Sequence, residues 1–136
     1  MGGAEIYSPK RIAIVEDDSD ISDVLVKILE RQRYRVSLVA GSGEEILSSI
    51  KSGKFRDGFD LLIADYRLPG INGIDVAKEI AHLLPKSSII ISTADDTVEE
   101  EARRAGFSFI LKPFGISKFV DLVKSSLSET VFVEND

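Results

Sequence analysis

"LLIADYRLPG", residues 61–70, opens as a strand and closes as a turn. Leu61, Leu62, Ile63 and Ala64 form an unbroken apolar run, the pattern of a strand covered on both faces. Pro69-Gly70 marks the loop that follows. A strand of that kind belongs in a parallel sheet sandwiched between helices. Between run and turn stands Asp65, a carboxylate at the mouth of a buried strand, which is costly unless something neutralises it.

Working outward, four more runs resemble this one. "RIAIV" (11–15), "RVSLVA" (35–40), "SSIIIST" (87–93) and "FSFIL" (107–111) join "FDLLIA" (59–64) as predicted strands. Helical periodicity fills the intervals. Ile21, Val24, Leu25, Ile28 and Leu29 recur at helical spacing, with Asp18, Ser19 or Asp20 as candidate caps. A short, weakly periodic helix is expected over 44–50, followed by a loop over "KSGKFRDG". Ile74, Ala77, Ile80, Ala81 and Leu84 share one face of a helix over 73–84, which Pro85 ends. A charged helix over 96–105 is stopped by Gly106, and "SKFVDLVKSSL" (117–127) is a last amphipathic one. The fold class is therefore α/β, a single five-stranded parallel sheet, doubly wound as (βα)5. One domain is expected over 10–128, with an N-terminal tail over 1–9 and a C-terminal tail over 129–136. Val131-Phe132-Val133 in that second tail is apolar enough to pack or pair.

Composition narrows the function. The 136 residues suit one domain with a substantial core. A net charge of −6 makes direct nucleic-acid binding a poor expectation, because phosphate contacts need clustered cations. No apolar run approaches the ~20 residues needed to cross a bilayer, so no membrane role is expected. The start, "MGGAEIYSPKR", has no apolar stretch of signal-peptide length. Gly2 invites a myristoylation reading, but Ile6 stands where that motif needs Ser or Thr. There are no cysteines, which removes disulfides and thiolate metal sites and agrees with a cytoplasmic location. His82, the one histidine, is expected on the polar edge of the third helix, so the chain does not read as its own phosphodonor.

In open parallel sheets chemistry gathers at the carboxyl ends of the strands. Glu16 and Asp17 follow the first strand, with Asp18 behind them. Asp65 follows the third, Thr93 ends the fourth, and Lys112 and Pro113 follow the fifth. Carboxylates brought together stay ionised only if a cation neutralises them. With oxygen donors alone, that cation should be hard: Mg2+ or Mn2+. Lys112 and the Thr93 hydroxyl complete a pocket that can hold a phosphoryl group, with Asp65 as a candidate nucleophile.

"IAIVEDD", "DLLIADYRLPGINGID", "IIISTADD" and "GFSFILKPF" together resemble, in order and spacing, the motifs of response-regulator receiver domains of two-component signal transduction, the CheY-like superfamily. The likeness covers about residues 10–128. It implies a flavodoxin-like receiver fold in which Asp65 accepts phosphate from a histidine kinase or histidine phosphotransferase. Glu16 and Asp17 match the acidic pair, Asp17 as direct Mg2+ ligand, and the Arg67 backbone carbonyl would complete the protein ligands beside Asp65. Thr93 matches the switch hydroxyl and Lys112 the ammonium that pairs with the phosphate. The Lys112-Pro113 peptide matches the family's cis bond. The resemblance also places Arg67 and Asp95 over the pocket, where a salt bridge between them would tune phosphate lifetime. Output to a downstream protein or an attached domain would pass through the 96–128 face. One position departs from the pattern: Phe109 stands where the aromatic switch is commonly Tyr, so no phenol is available there. Phe109 reads equally as plain core, and Glu99, Glu100, Glu101, Arg103 and Arg104 as a solvated helix face with local ion pairs.

Three rivals fit less well. A dehalogenase-type phosphatase needs a second acid two residues after the nucleophile, and that residue is Arg67. "GSG" at 41–43 lacks the remainder of a nucleotide-binding loop. A phosphorylation-independent interaction module of receiver fold is the alternative, against which the intact set Glu16, Asp17, Asp65, Thr93 and Lys112 argues. The expectation is a switch that catalyses only its own aspartyl phosphorylation and dephosphorylation and turns over no other substrate. Whether it stands alone or forms part of a larger regulator or hybrid kinase is open from sequence.

Overall fold

The computed structural model describes residues 8–53 and 58–127. The expected C-terminal tail over 129–136, with Val131-Phe132-Val133, lies outside the described residues. So do residue 128, most of the 1–9 tail and residues 54–57 of the expected loop.

Five parallel strands form one sheet in the order β2-β1-β3-β4-β5. They are β1 (Arg11–Val15), β2 (Arg35–Ala40), β3 (Leu61–Asp65), β4 (Ile89–Thr93) and β5 (Ser108–Leu111). Helices α1 (Ser19–Arg31), α2 (Gly43–Lys51), α3 (Gly73–Ile80), α4 (Glu99–Arg104) and α5 (Ile116–Ser126) connect them. The expected α/β doubly wound class is the observed one. Two apolar cores follow from the alternation of side chains along each strand. Ile12, Ile14, Leu61 and Ile63 point to the side of α1 and α5 with Leu25, Leu29, Phe119 and Val123. Ala13, Val15, Leu62 and Ala64 point to the other side with Ile46, Ile74, Ala77 and Ala102.

Several boundaries differ from the periodicity reading, each for a local reason. β3 starts at Leu61 and ends on Asp65, because Ile12 to Val15 of β1 pair with Leu61 to Ala64, and Asp65 pairs with Ser92 of β4. α3 stops at Ile80, and 81–84 form a tight turn in which the Leu83 N–H donates to the Ile80 carbonyl (2.8 Å). Pro85 disfavours helical backbone in the residue before it, so the apolar periodicity through Leu84 outruns the helix. His82 therefore lies exposed in that turn and not on the helix. Residues 86–88 make a 3-10 turn, so β4 starts at Ile89. Another 3-10 turn over Asp96–Val98 precedes the short α4. β2 is not covered on both faces as its composition suggests: it is an edge strand, and only Ala40 is fully buried. The cap of α1 is Asp18, whose carboxylate accepts from the Asp20 and Ile21 N–H groups (2.9 and 3.3 Å). Among the described residues no helix is long and apolar enough to cross a membrane.

Candidate functional site

Strand order reverses between β1 and β3, so their carboxyl ends open onto one crevice. β1 delivers Glu16 and Asp17 just beyond Val15, and β3 terminates on Asp65. The three carboxylates offer oxygens that all lie within 4.8 Å of one another. Glu16 and Asp65 are buried, while Asp17 is exposed.

The fifth strand supplies the balancing charge. Lys112 follows β5, its N–H donating to the Thr93 carbonyl (2.9 Å), and it precedes a cis peptide to Pro113. Its ammonium donates to Glu16 Oε1 (3.0 Å) and lies 3.5 Å from Asp65 Oδ1. The other Glu16 oxygen accepts from the Asp18 N–H (3.2 Å), so both are engaged by the chain itself. Asp17 has no hydrogen bond or ion pair among the described residues, which leaves its oxygens available to a ligand. Asp65 is the frustrated member. Burial, then the nearby Glu16 carboxylate, pushes its carboxyl up to about 6, against the opposing Lys112 ammonium and the Arg67 backbone N–H. Among the described residues, one ammonium thus pairs with two of the three clustered carboxylates and leaves Asp17 without a counter-charge. A surplus of negative charge on a donor set made only of oxygen fits a hard divalent cation such as Mg2+ or Mn2+.

Thr93 closes the pocket from β4. It is 1% exposed, and its hydroxyl accepts from the Asp95 N–H (3.2 Å). Above it the Arg67 guanidinium donates to Asp95 Oδ2 (2.8 Å), so the bridge that the sequence suggests is formed. Thr97, through its hydroxyl and its backbone N–H, together with Arg67 outweighs the small burial cost and holds the Asp95 carboxyl below its ordinary value. Phe109 pairs with Ile91 across the sheet and is buried in the core beneath α3 and α4, its ring already inward. The charged helix is a solvated face with local pairs, Glu99–Arg103 and Glu100–Arg104 (2.7 and 2.6 Å).

Two features escaped the sequence reading. Val24 sits in the apolar periodicity of α1 yet is 55% exposed, and Ile116 at the start of α5 is 63% exposed. With Ile21, Ile28 and Phe114 they line an open apolar groove of about 800 Å³ that reaches Ala94 and Lys112. The second feature is the loop after Asp65. The Ile71 N–H in that loop donates to Glu44 of α2 (3.3 Å), and Gly73 packs directly on the Asp65 backbone. A polar residue on an exposed helix and a glycine carry no pattern that announces either contact.

The sequence profile of the response regulator receiver domain matches residues 12–124. A putative two-component response regulator of Arabidopsis thaliana, ARR21, is 30% identical over 118 residues, covering 86% of this chain and 19% of the relative. The chain therefore spans less than a fifth of that curated relative. The chemotaxis protein CheY of Thermotoga maritima is 34% identical over 115 residues, 82% of this chain and 92% of that protein. Among solved structures, the response regulator TrrA of Thermotoga maritima, crystallised in complex with Mg2+-BeF, superposes with a TM-score of 0.73. It is 32% identical, and the match covers 86% of this chain and 98% of that one.

Proposed function

Since the chain belongs to the response regulator receiver domain family, we propose that it is a phosphoacceptor switch in which Asp65 takes a phosphoryl group from a histidine kinase or histidine phosphotransferase. The observation that carries this reading is the buried pair Glu16–Asp65 facing the ammonium of Lys112 at the switch point of the sheet. A carboxylate held so close to its own neutral form by burial and a like charge is poised for a change of bonding state, not for structural pairing.

An Asp65 carboxylate oxygen attacks the phosphorus of the donor's phosphohistidine. The new O–P bond forms as the P–N bond breaks, and the electron pair leaves with the imidazole nitrogen. Lys112 lies within reach of an Asp65 oxygen and offers its N–H groups to the phosphoryl oxygens, leaving Glu16 for them. Thr93 gives up its role as acceptor from the Asp95 amide and turns its hydroxyl toward the same oxygens, which makes β4 the reporter of phosphorylation. Phe109, on the neighbouring strand and already inward, fills the space beside it. Asp17, Asp65 and the Arg67 backbone carbonyl are the groups to hold Mg2+ or Mn2+, with Glu16 beside them. The cation, when bound, neutralises the carboxylates and the phosphoryl oxygens. TrrA, solved with Mg2+-BeF, supports this assignment. Hydrolysis reverses the switch: water adds to phosphorus, the Asp65–phosphate bond breaks, and inorganic phosphate leaves. The domain turns over no separate substrate.

Phosphorylation adds about −1.5 to −2 charges at one edge of the sheet, and its effect reaches a partner as a shift between two surface states. The exposed side of α4, β5 and α5, within residues 96–128, is the output surface toward a downstream protein or an attached domain, with no direct contact to nucleic acid or membrane. Incubation with acetyl phosphate and Mg2+ followed by intact mass tests the proposal. A phosphate adduct is expected on the wild type and none on Asp65→Asn. No adduct from acetyl phosphate or from a histidine kinase would replace it with a phosphorylation-independent interaction module.

A further inference from the structure

Helix α3 starts against the backbone of the acceptor itself. A Cβ built on Gly73 would overlap the Asp65 carbonyl oxygen, lie 2.8 Å from the Asp65 carbonyl carbon and 3.0 Å from Tyr66 Cα. All three are backbone atoms, so no side chain can move aside to make room. Gly73 is helical, hence no left-handed conformation demands a glycine here; close approach does. The same residue donates its N–H to the Tyr66 carbonyl (2.9 Å), while the Tyr66 N–H donates to Ser92 on β4 (2.8 Å). The Asp65-Tyr66 segment is therefore held between β4 on one side and the first turn of α3 on the other. That turn is itself fixed by Asn72, whose side chain caps it at the Asp75 N–H (2.9 Å), and by the hold of Glu44 on Ile71.

We propose that Gly73 is a positioning residue for the phosphoacceptor: its bare backbone seats Asp65 and Tyr66, and so fixes the chain that presents both the Asp65 carboxylate and the Arg67 carbonyl to the cation. The inference rests on the proposed phosphoacceptor reading and deepens it. Any side chain at residue 73 must push α3 away from Asp65 or push Asp65 along the crevice. A displacement of the order of an ångström costs about 10²-fold in a reaction that depends on placement.

The test compares Gly73→Ala with Ala77→Gly. The second variant weakens the same helix through backbone entropy and a lost methyl, yet adds no atom near Asp65. Mg2+ affinity by titration, the rate of phosphorylation by acetyl phosphate, and Tm are measured for both. Gly73→Ala should bind Mg2+ and take up phosphate about 10- to 100-fold less well, whereas Ala77→Gly should lower Tm while keeping both readouts within about twofold. Equal losses in the two variants, or a folded Gly73→Ala with wild-type affinity and rate, would overturn the proposal. Should Gly73→Ala not fold, amide exchange in the wild type decides it. Coupling between seat and site is reciprocal, so Mg2+ should slow exchange of the Gly73 N–H more than that of Ile80 at the far end of α3. Equal slowing sinks the proposal. A wild type that binds Mg2+ but takes up no phosphate counts against the phosphoacceptor reading alone, and the affinity comparison still tests Gly73.

Discussion

Asp60 stands just before β3 and Asp65 at its exit, five residues apart and under opposite electrostatics. Asp60 is matched by Arg11: the Arg11 N–H donates to Oδ2 (2.8 Å), its guanidinium approaches both oxygens (3.4 Å), and the Asp60 N–H donates back to the Arg11 carbonyl (2.7 Å). Burial raises the Asp60 carboxyl, but these bonds and the charges of Arg11 and Lys10 outweigh it and hold the group below its ordinary value. Asp65 is buried deeper, faces Glu16, and shares one ammonium with it, so its carboxyl is pushed up to about 6. The first aspartate is satisfied by the fold and pins the sheet. The second is left wanting by the fold, and what it lacks, a cation and a bonding partner, is what a ligand can bring. Perturbation by burial and like charge, more than burial alone, separates the two roles.

The sharpest way to break that contrast is to exchange each carboxylate for an amide. Asp65→Asn should abolish the phosphate adduct seen by intact mass, and Asp60→Asn should leave it at wild-type yield. An adduct that survives Asp65→Asn, or is lost in Asp60→Asn, would mean that the wrong end of β3 has been assigned. Next in size is Lys112→Ala. With the shared ammonium gone, Glu16 and Asp65 face each other directly, and the charge on the transferring group loses its fixed donor. The phosphorylation rate under saturating Mg2+ should fall by about 10²-fold, while Arg11→Ala at the other end of the strand should leave it unchanged.

Stability against pH sharpens the same comparison. For Asp65 the folded value is raised, so the unfolded chain releases its proton first, and stability is lost as pH rises from about 4 through about 6. In metal-free protein Asp65→Asn should therefore be more stable than wild type by about 1–3 kcal/mol at pH 8, the difference shrinking toward zero near pH 4. For Asp60 the folded value is lowered, so its contribution is present above the unfolded value of 3.8 and disappears as pH falls through the folded one. Asp60→Asn should be destabilised by about 0.5–1 kcal/mol at pH 8, discounted for a partly exposed pair, with the deficit shrinking as pH falls below 3.8. Urea melts of the two variants across pH 3–8 check both slopes; slopes of the same sign would remove the distinction.

How far this was legible in the sequence follows from the kind of signal each feature leaves. The strands, and the polar residues at their carboxyl ends, were readable because "RIAIV", "LLIAD" and "IIIST" are apolar runs bordered by polar chemistry. Asp65, Glu16, Thr93 and Lys112 could be placed from strand ends alone. What failed depends on tertiary neighbours. Val24 obeys the helical period, yet it is more than half exposed among the described residues, since periodicity reports a face and not what covers that face. Leu84 continues the α3 pattern past the point where Pro85 forbids the helix. Gly73 and Glu44 are invisible because contact with a backbone across the loop leaves no compositional trace.

The smallest expected effect lies at the rim of the Asp65 pocket. The Arg67 side chain is 70% exposed, so its bridge to Asp95 contributes little to folding. Its consequence is local. Asp95 also donates its N–H to the Thr93 hydroxyl, so the bridge ties the β3 loop to the segment that the proposed switch would move as Thr93 turns toward phosphate. Arg67→Ala removes the guanidinium and keeps the backbone carbonyl that is assigned to the cation. Phosphorylation should therefore proceed, Tm should stay within a few degrees of wild type, and the half-life of the phosphorylated form should change a few-fold. Asp95→Ala should change the lifetime in the same direction, because either substitution opens the same rim to water. The double variant should add little to either single one, as expected for two residues acting through one contact. Decay of the phosphorylated protein after removal of acetyl phosphate measures all three. Unchanged lifetimes in both single variants would reduce the bridge to a surface pair like Glu99–Arg103, and additive changes would mean that Arg67 and Asp95 act on water separately.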